Sequence, residues 1–180
     1  MADVDDNSGL EEIAQRMNNM EPAFRSMGEE LLFLTEERFN REDTPSGEAW
    51  PPLDPEYKKR KRNDSILTET GQMSEQIDYQ VTEDGVEVGG TRPSEQDKMR
   101  AHNFGVDETV QVPAHTRTIT QAFGKPIEEV SDDASGGSLE VQVDSYQMNM
   151  NIPQRTFLDV SDRYAKRLFN ILTDWIIDGE

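Results

Sequence analysis

Three patterns in this 180-residue chain predict an α+β fold: a small mixed or antiparallel sheet flanked by a long N-terminal helix and a C-terminal helix. Apolar residues recur at gaps of three and four from Leu10 to Leu34. They alternate at every second position around 77–88 and again over 139–152. A second helical stripe runs from Tyr164 to Ile176. The length suits one domain with a real core and is too short for two generous ones. Residues 1–8 read as a disordered acidic terminus, and 9–180 as one domain with a loop- and β-rich insertion over 106–151.

The first stripe, Leu10, Ile13, Met17, Met20, Phe24, Met27, Leu31 and Leu34, predicts helix over 9–41, with its apolar side on the domain's own sheet. Ser8 and Glu11 have capping-box spacing, and Pro22 predicts a kink or break near 19–22. "REDTPSGEAWPPLDPEY" (41–57) is a proline- and glycine-punctuated loop. Asp54 then Pro55 is a cap followed by a first helical residue, opening a short helix that carries "KKRKR" (58–62). "SILTETGQMSEQI" (65–77) predicts a turn and one or two helical turns.

Ile77, Tyr79 and Val81, then "EDG", then Val86 and Val88 predict a hairpin. Residues 94–104 read as helix, stopped by Gly105 in a left-handed conformation. β-branched residues over 108–124 predict strands with Pro113 at an edge or bulge, and "EEVSDDASGG" (128–137) an acidic flexible loop. The alternation of Leu139, Val141 and Val143 changes phase at Tyr146, Met148, Met150 and Ile152, which predicts a bulge or bend near Asp144–Ser145. Ser161 caps the last helix, and Gly179 follows its end.

Composition narrows the function. Hydrophobic residues are 33% and charged residues 31%, the balance of a modest core with strongly solvated segments. No apolar run approaches the roughly 18 residues that span a bilayer, and "MADVDDNSG" is too acidic for a secretory leader. With no cysteine there is neither a disulfide framework nor a thiolate metal site. The expectation is a soluble protein made and assembled inside a cell, without membrane contact. Thirty-seven acidic against 18 basic residues give a formal charge of −19, which repels nucleic acid on average. The run Lys58, Lys59, Arg60, Lys61, Arg62 stands out against it. It reads as a phosphate-contacting patch, as a clamp for the chain's own acidic surface, or as a contact with an acidic neighbouring subunit.

A search for chemistry returns no catalytic, metal-binding or cofactor-binding set. His102 and His115 lack zinc-site spacing, and no phosphate loop, dinucleotide fingerprint or nucleophile elbow occurs. His102 in "MRAHNFG" therefore reads as structural, its imidazole bonding carbonyls at a helix end and its ring packing on Phe104. Arg155 in "NIPQRTFL" reads as a pin on loop carbonyls or a carboxylate, with Pro153 fixing the entry and Phe157 anchoring the helix that follows. Trp50 in "GEAWPPL" reads as an aromatic plug seating its loop.

Phe39, "SGEAWPPL" (46–53), "ILTETGQM" (66–73), "VEVGG" (86–90), "AHNFG" (101–105) and "IPQRTFLDVS" (152–161) occur in an order that resembles the phage virion morphogenesis family, the tail-completion proteins of Mu-like and related tailed phages. The likeness runs over about 30–176, and "VPAHTRTITQAFGKP" (112–126) is similar to a stretch of its longer members. Trp50, Leu53, Gly71, His102, Phe104, Gly105, Pro153, Arg155 and Phe157 are the positions that carry it. Gln154 replaces the usual small residue before the motif arginine, and Met73 a common leucine. The resemblance implies a ring-forming virion protein of the neck at the head–tail junction, without enzymatic activity, assembled in the host cytoplasm. The implied partners are copies of itself in a ring of six or twelve, portal-side head connector proteins, and tail terminator or tail tube proteins. Genomic DNA would pass through the ring without specific binding. Two alternatives stay open: a tail terminator capping the tube, and a nucleic-acid-binding module using 58–62.

Overall fold

A computed structural model of the chain describes residues 8–122, 125–126 and 138–179, so the acidic loop expected at 128–137 and most of the expected N-terminal tail lie outside the described residues. The chain divides into two compact units. One runs up to Gly105 and resumes at Ile152; the other is Val106–Asn151.

In the first unit the long helix is two: α1 (Ser8–Asn18) and α2 (Glu21–Arg41). The break falls ahead of Pro22, which sits in the first turn of α2, where its missing N–H removes no helical bond. Ser8, expected as the cap, is itself the first helical residue. The short helices α3 (Pro55–Arg60) and α4 (Gln72–Glu75) follow. Asp54 caps α3, its carboxylate accepting from the N–H groups of Glu56 and Tyr57, both at 2.9 Å. Strands β1 (Ile77–Val81) and β2 (Val86–Gly90) form the antiparallel hairpin, with Val81 opposite Val86. Helices α5 (Pro93–Phe104) and α6 (Asp162–Ile177) complete the unit.

Helix α2 packs on the hairpin and on α6. It approaches β1 tightly at Gly28, where an added Cβ would lie 2.2 Å from the Tyr79 ring. The buried residues of α2 are Ala23, Gly28, Leu34, Thr35, Arg38 and Phe39, and the stripe residues Phe24, Met27 and Leu31 are half-buried on the same side, the side that meets the hairpin. Of the stripe only Leu34 is fully buried, while Leu10 and Met17 on α1 are exposed. Helix α6 runs antiparallel to the α1–α2 pair. Arg167 meets Glu30 at 2.7 Å, and the Trp175 indole donates to the Asn19 carbonyl at 3.2 Å. Arg16 donates to the carbonyls of Ile176 and Ile177, a cation set at the negative end of α6. Ser161 occupies the cap position of α6, but its hydroxyl is buried and makes no hydrogen bond among the described residues, a correction to its expected capping role.

The second unit is a succession of two-stranded ladders. Strands β3 (Val106–Val112), β4 (His115–Ile119) and β5 (Gln121–Ala122) pair with β8 (Tyr146–Ile152), β7 (Leu139–Val143) and β6 (Lys125–Pro126) respectively. Among the described residues the expected small antiparallel sheet takes the form of several two-stranded sheets, in keeping with the α+β class. Pro113–Ala114 separate β3 from β4 and Asp144–Ser145 separate β7 from β8. Pro113 cannot donate to a ladder, and the interruption at Asp144–Ser145 is where the apolar alternation changes phase.

The core lies in the first unit: Phe39, Trp50, Ile66, Met99 and Phe157 are buried together, with Leu53, Leu67, Met73, Ile77 and Leu158 packed around them.

Candidate functional site

The motif segments meet in one place. Trp50 sets its edge on Phe39, ring centres 5.7 Å apart and planes at 84°, and its Nε1–H donates to the Thr156 carbonyl at 3.1 Å. Phe39 in turn packs on the fully buried Phe157 at 5.1 Å. Such aromatic pairs combine large apolar burial with a geometric preference. Arg155 joins three segments: its N–H donates to the His102 carbonyl at 2.7 Å, and its guanidinium to the carbonyls of Pro51 and Pro52 at 3.0 and 3.1 Å. Leu53 and Met73 pack against the same cluster. Gly71 takes φ +76° at the start of α4, a conformation that costs glycine little. Pro153, half-buried, precedes this junction.

The "AHNFG" segment corrects the sequence reading. The His102 imidazole does not bond carbonyls: its Nδ1 is buried without a hydrogen-bond partner among the described residues. Burial, and then the neighbouring Arg155 charge, push its pKa below the ordinary histidine value. Phe104 is 69% exposed and is no packing partner for that ring. Gly105 has φ +75° and ψ 163°, a mirror-extended conformation open to glycine alone, and not the expected left-handed helical one. A Cβ there would meet the Gln154 nitrogen at 3.1 Å.

The residue that organises the segment is Asn103, which sequence reasoning passed over. Its Oδ1 accepts from the N–H groups of Phe157 and Leu158 at 2.9 and 2.8 Å. Its Nδ2 donates to the Leu158 carbonyl at 3.2 Å, and its own carbonyl accepts from the Thr156 hydroxyl at 3.2 Å. An amide carries both donor and acceptor, so it can substitute for a strand partner along an irregular segment. Arg38 was missed as well. It is 2% exposed, donates Nη1 to the Phe157 carbonyl at 2.8 Å, and lies over the Tyr164 ring at 4.9 Å. Burial lowers its pKa, with the nearby Tyr164 opposing the shift. In sequence Arg38 looks like another charged helix position, because the residues that bury it, Phe157 and Tyr164, lie far along the chain.

The basic run lies apart from this knot, on α3 and the turn after it. Lys58 pairs with Asp64 at 3.7 Å and Lys59 with Glu56 at 2.6 Å. Lys61 donates to the Asn63 side chain and the Ser65 carbonyl. Arg60 and Arg62 are exposed and make no ion pair among the described residues. Local carboxylates therefore occupy two of the lysines and leave two guanidinium groups facing outward.

An open groove of about 800 Å³ runs between the hairpin and α5, lined among others by Asp78, Glu87, Met99, Arg100 and Leu158. It offers two carboxylates and one guanidinium but no nucleophile held by a base, the arrangement that covalent or acid–base chemistry requires. Among the described residues no three His, Asp or Glu side chains gather as metal ligands, and no helix is long and apolar enough to cross a membrane.

The profile of the phage virion morphogenesis family matches residues 5–176. The chain belongs to that family. The match begins well ahead of the likeness read at 30–176, so α1 lies within the family region. No curated protein and no solved structure matches the chain. Membership gives this virion morphogenesis protein a structural or assembly role in the phage particle. The family's motif residues here serve folding: Trp50, Arg155 and Phe157 join the loop, α5 and the lead-in to α6 into one buried joint.

Proposed function

We propose that this protein is a structural component of the tailed-phage neck, where copies assemble into a ring that completes the tail and joins it to the head. One observation carries the reading: a family match spanning residues 5–176 falls on a chain whose motif residues Trp50, Arg155 and Phe157 are committed to holding its own core. What remains for function is exposed surface, and that surface is rich in apolar side chains and charge. A contact between unlike patches on successive copies closes into a ring when its rotation closes, and six or twelve copies fit the reading. Arg60 and Arg62, with the lysines of 58–62, face acidic surface on the next copy or on a portal-side connector protein. Tail terminator or tail tube proteins meet the opposite side. An acidic bore would repel phosphates and let DNA slide without specific binding.

The test is to assemble particles without this chain. Filled heads and finished tails that fail to join support the reading. Overlength tail tubes would assign the terminator role instead, and normal infectious particles would overturn both. Charge reversal across Lys58–Arg62 in the same system should weaken joining.

A further inference from the structure

The β4–β7 ladder has two unlike faces. Its register sets His115 beside Val143, Arg117 beside Val141 and Ile119 beside Leu139 on one face, and Thr116 beside Gln142 and Thr118 beside Glu140 on the other. The second face is polar, and its Gln142 side chain donates to Thr116 at 2.8 Å. The first is a strip of four aliphatic side chains around one guanidinium, with His115 at the end of the strip. Leu139 on it is 53% exposed and Val141 36%. Arg117 is exposed and makes no ion pair among the described residues. A lone two-stranded ribbon is marginal in water, and an apolar sheet face is stable when something covers it.

Charge identifies the cover. The chain carries −19, so a second copy offers acidic surface to a cationic strip. Ribbon-on-ribbon pairing about a two-fold axis would put two Arg117 groups into one desolvated strip, which like charges oppose. A contact between unlike surfaces avoids this. The matching surface is on α1, where Leu10 is 64% and Met17 58% exposed, seven positions apart on one side of the helix. Glu11 beside them is exposed and unpaired among the described residues. Eleven helical residues extend about 16 Å, the span of about 16 Å that five strand residues cover.

We propose that the Arg117–Val141–Leu139 strip of one copy docks on the Leu10–Met17 face of α1 in the next, with Arg117 meeting Glu11. The inference rests on the ring reading and names the surfaces that would build the ring.

The chain has no cysteine, so introduced thiols report contacts without background. Two singly substituted full-length proteins, Leu139→Cys and Met17→Cys, are mixed and oxidised. The expected product is a mixed 139–17 disulfide in excess of either like-with-like dimer. Arg117→Glu should weaken assembly about tenfold or more, as loss of an interfacial charge pair does, and Glu11→Arg in the same chain should restore most of it. All four positions are exposed, and thermal melts verify that each variant folds. Assembly that persists with no mixed disulfide and no response to Arg117→Glu overturns the interface and leaves the ring standing. A Leu139→Cys protein that links chiefly to itself overturns it in favour of ribbon pairing. Retardation of duplex DNA that depends on Arg117 overturns it in favour of a nucleic-acid contact. A native mass spectrum showing only monomer under every condition removes this interface and the ring together.

Discussion

Asn103 satisfies two main-chain N–H groups and one carbonyl of the segment leading into α6, and the Phe157 N–H it serves is buried. Removing that amide strands buried polar groups, which costs more than the bond itself is worth. Asn103→Ala should therefore destabilise the fold by about 2–4 kcal/mol, while His102→Ala, whose ring makes no side-chain hydrogen bond here, should cost about 1 kcal/mol. Urea unfolding of the two variants checks the order; a costlier His102→Ala would contradict this account of the joint. The histidine has its own signature. A base whose native pKa lies below its unfolded value leaves the unfolded chain holding more protons between the two. Stability therefore rises with pH across that window and is lost as pH falls below about 6.5. His102→Gln should flatten the stability slope between pH 7 and pH 5.5, read by urea midpoints. An unchanged slope would mean that burial beside Arg155 does not disfavour the imidazolium. The sequence pointed to the right segment and the wrong side chain, because an imidazole advertises chemistry and an amide does not. Arg38 was illegible for the same reason: "TEERFNR" looks like a solvated run, and its burial depends on Phe157 and Tyr164, far along the chain.

Elements were more legible than side chains. The α1–α2 break follows from proline's missing donor, the α3 cap from Asp54–Pro55, and the hairpin from alternation around a turn; each cause is local. The apolar stripe marks the side of α2 that meets the hairpin, but how closely the two approach is a tertiary matter. The close approach to a strand at Gly28 needs a residue without a side chain there. Gly28→Ala tests this. Alanine is the better helix former by about 1 kcal/mol, but here its methyl would fall inside the Tyr79 ring at 2.2 Å, and overpacking of that kind costs about 1–3 kcal/mol. The variant should lose stability on balance. Gly9→Ala in α1, with nothing within 4 Å of the added carbon, should hold or gain up to about 1 kcal/mol. Thermal melts of both decide it; equal behaviour would remove the close approach of α2 and β1 from the account.

At the scale of the molecule, the α+β class was legible because helical and strand periodicities are both strong. The strand pairing was not, because alternation states which face of a strand is apolar and nothing about its partner. The phase change at Asp144–Ser145 marked the place where the ladders break, and the division of the ladders from the core falls at Val106 and Asn151. That division separates two physical jobs. The buried cluster of Phe39, Trp50, Ile66, Met99 and Phe157 belongs wholly to the first unit. The ends of that unit meet at Gly105, where an added Cβ would lie 3.2 Å from the Ile152 carbonyl, so a short loop can close the gap left by Val106–Asn151. Loop closure over a few residues is cheap relative to a core of this kind. Replacing Val106–Asn151 with a short glycine–serine linker should therefore leave a cooperatively folding protein whose melting temperature falls by no more than about 5 °C, the shift that about 1 kcal/mol produces in a domain of this size. Copy-to-copy assembly should be lost, since the ribbon face goes with the deletion. Differential scanning calorimetry reads the first outcome and sedimentation velocity the second. A shortened chain that fails to fold would show that the ladders support the core; one that folds and still assembles would move the intersubunit contact back onto the helices and Arg60–Arg62.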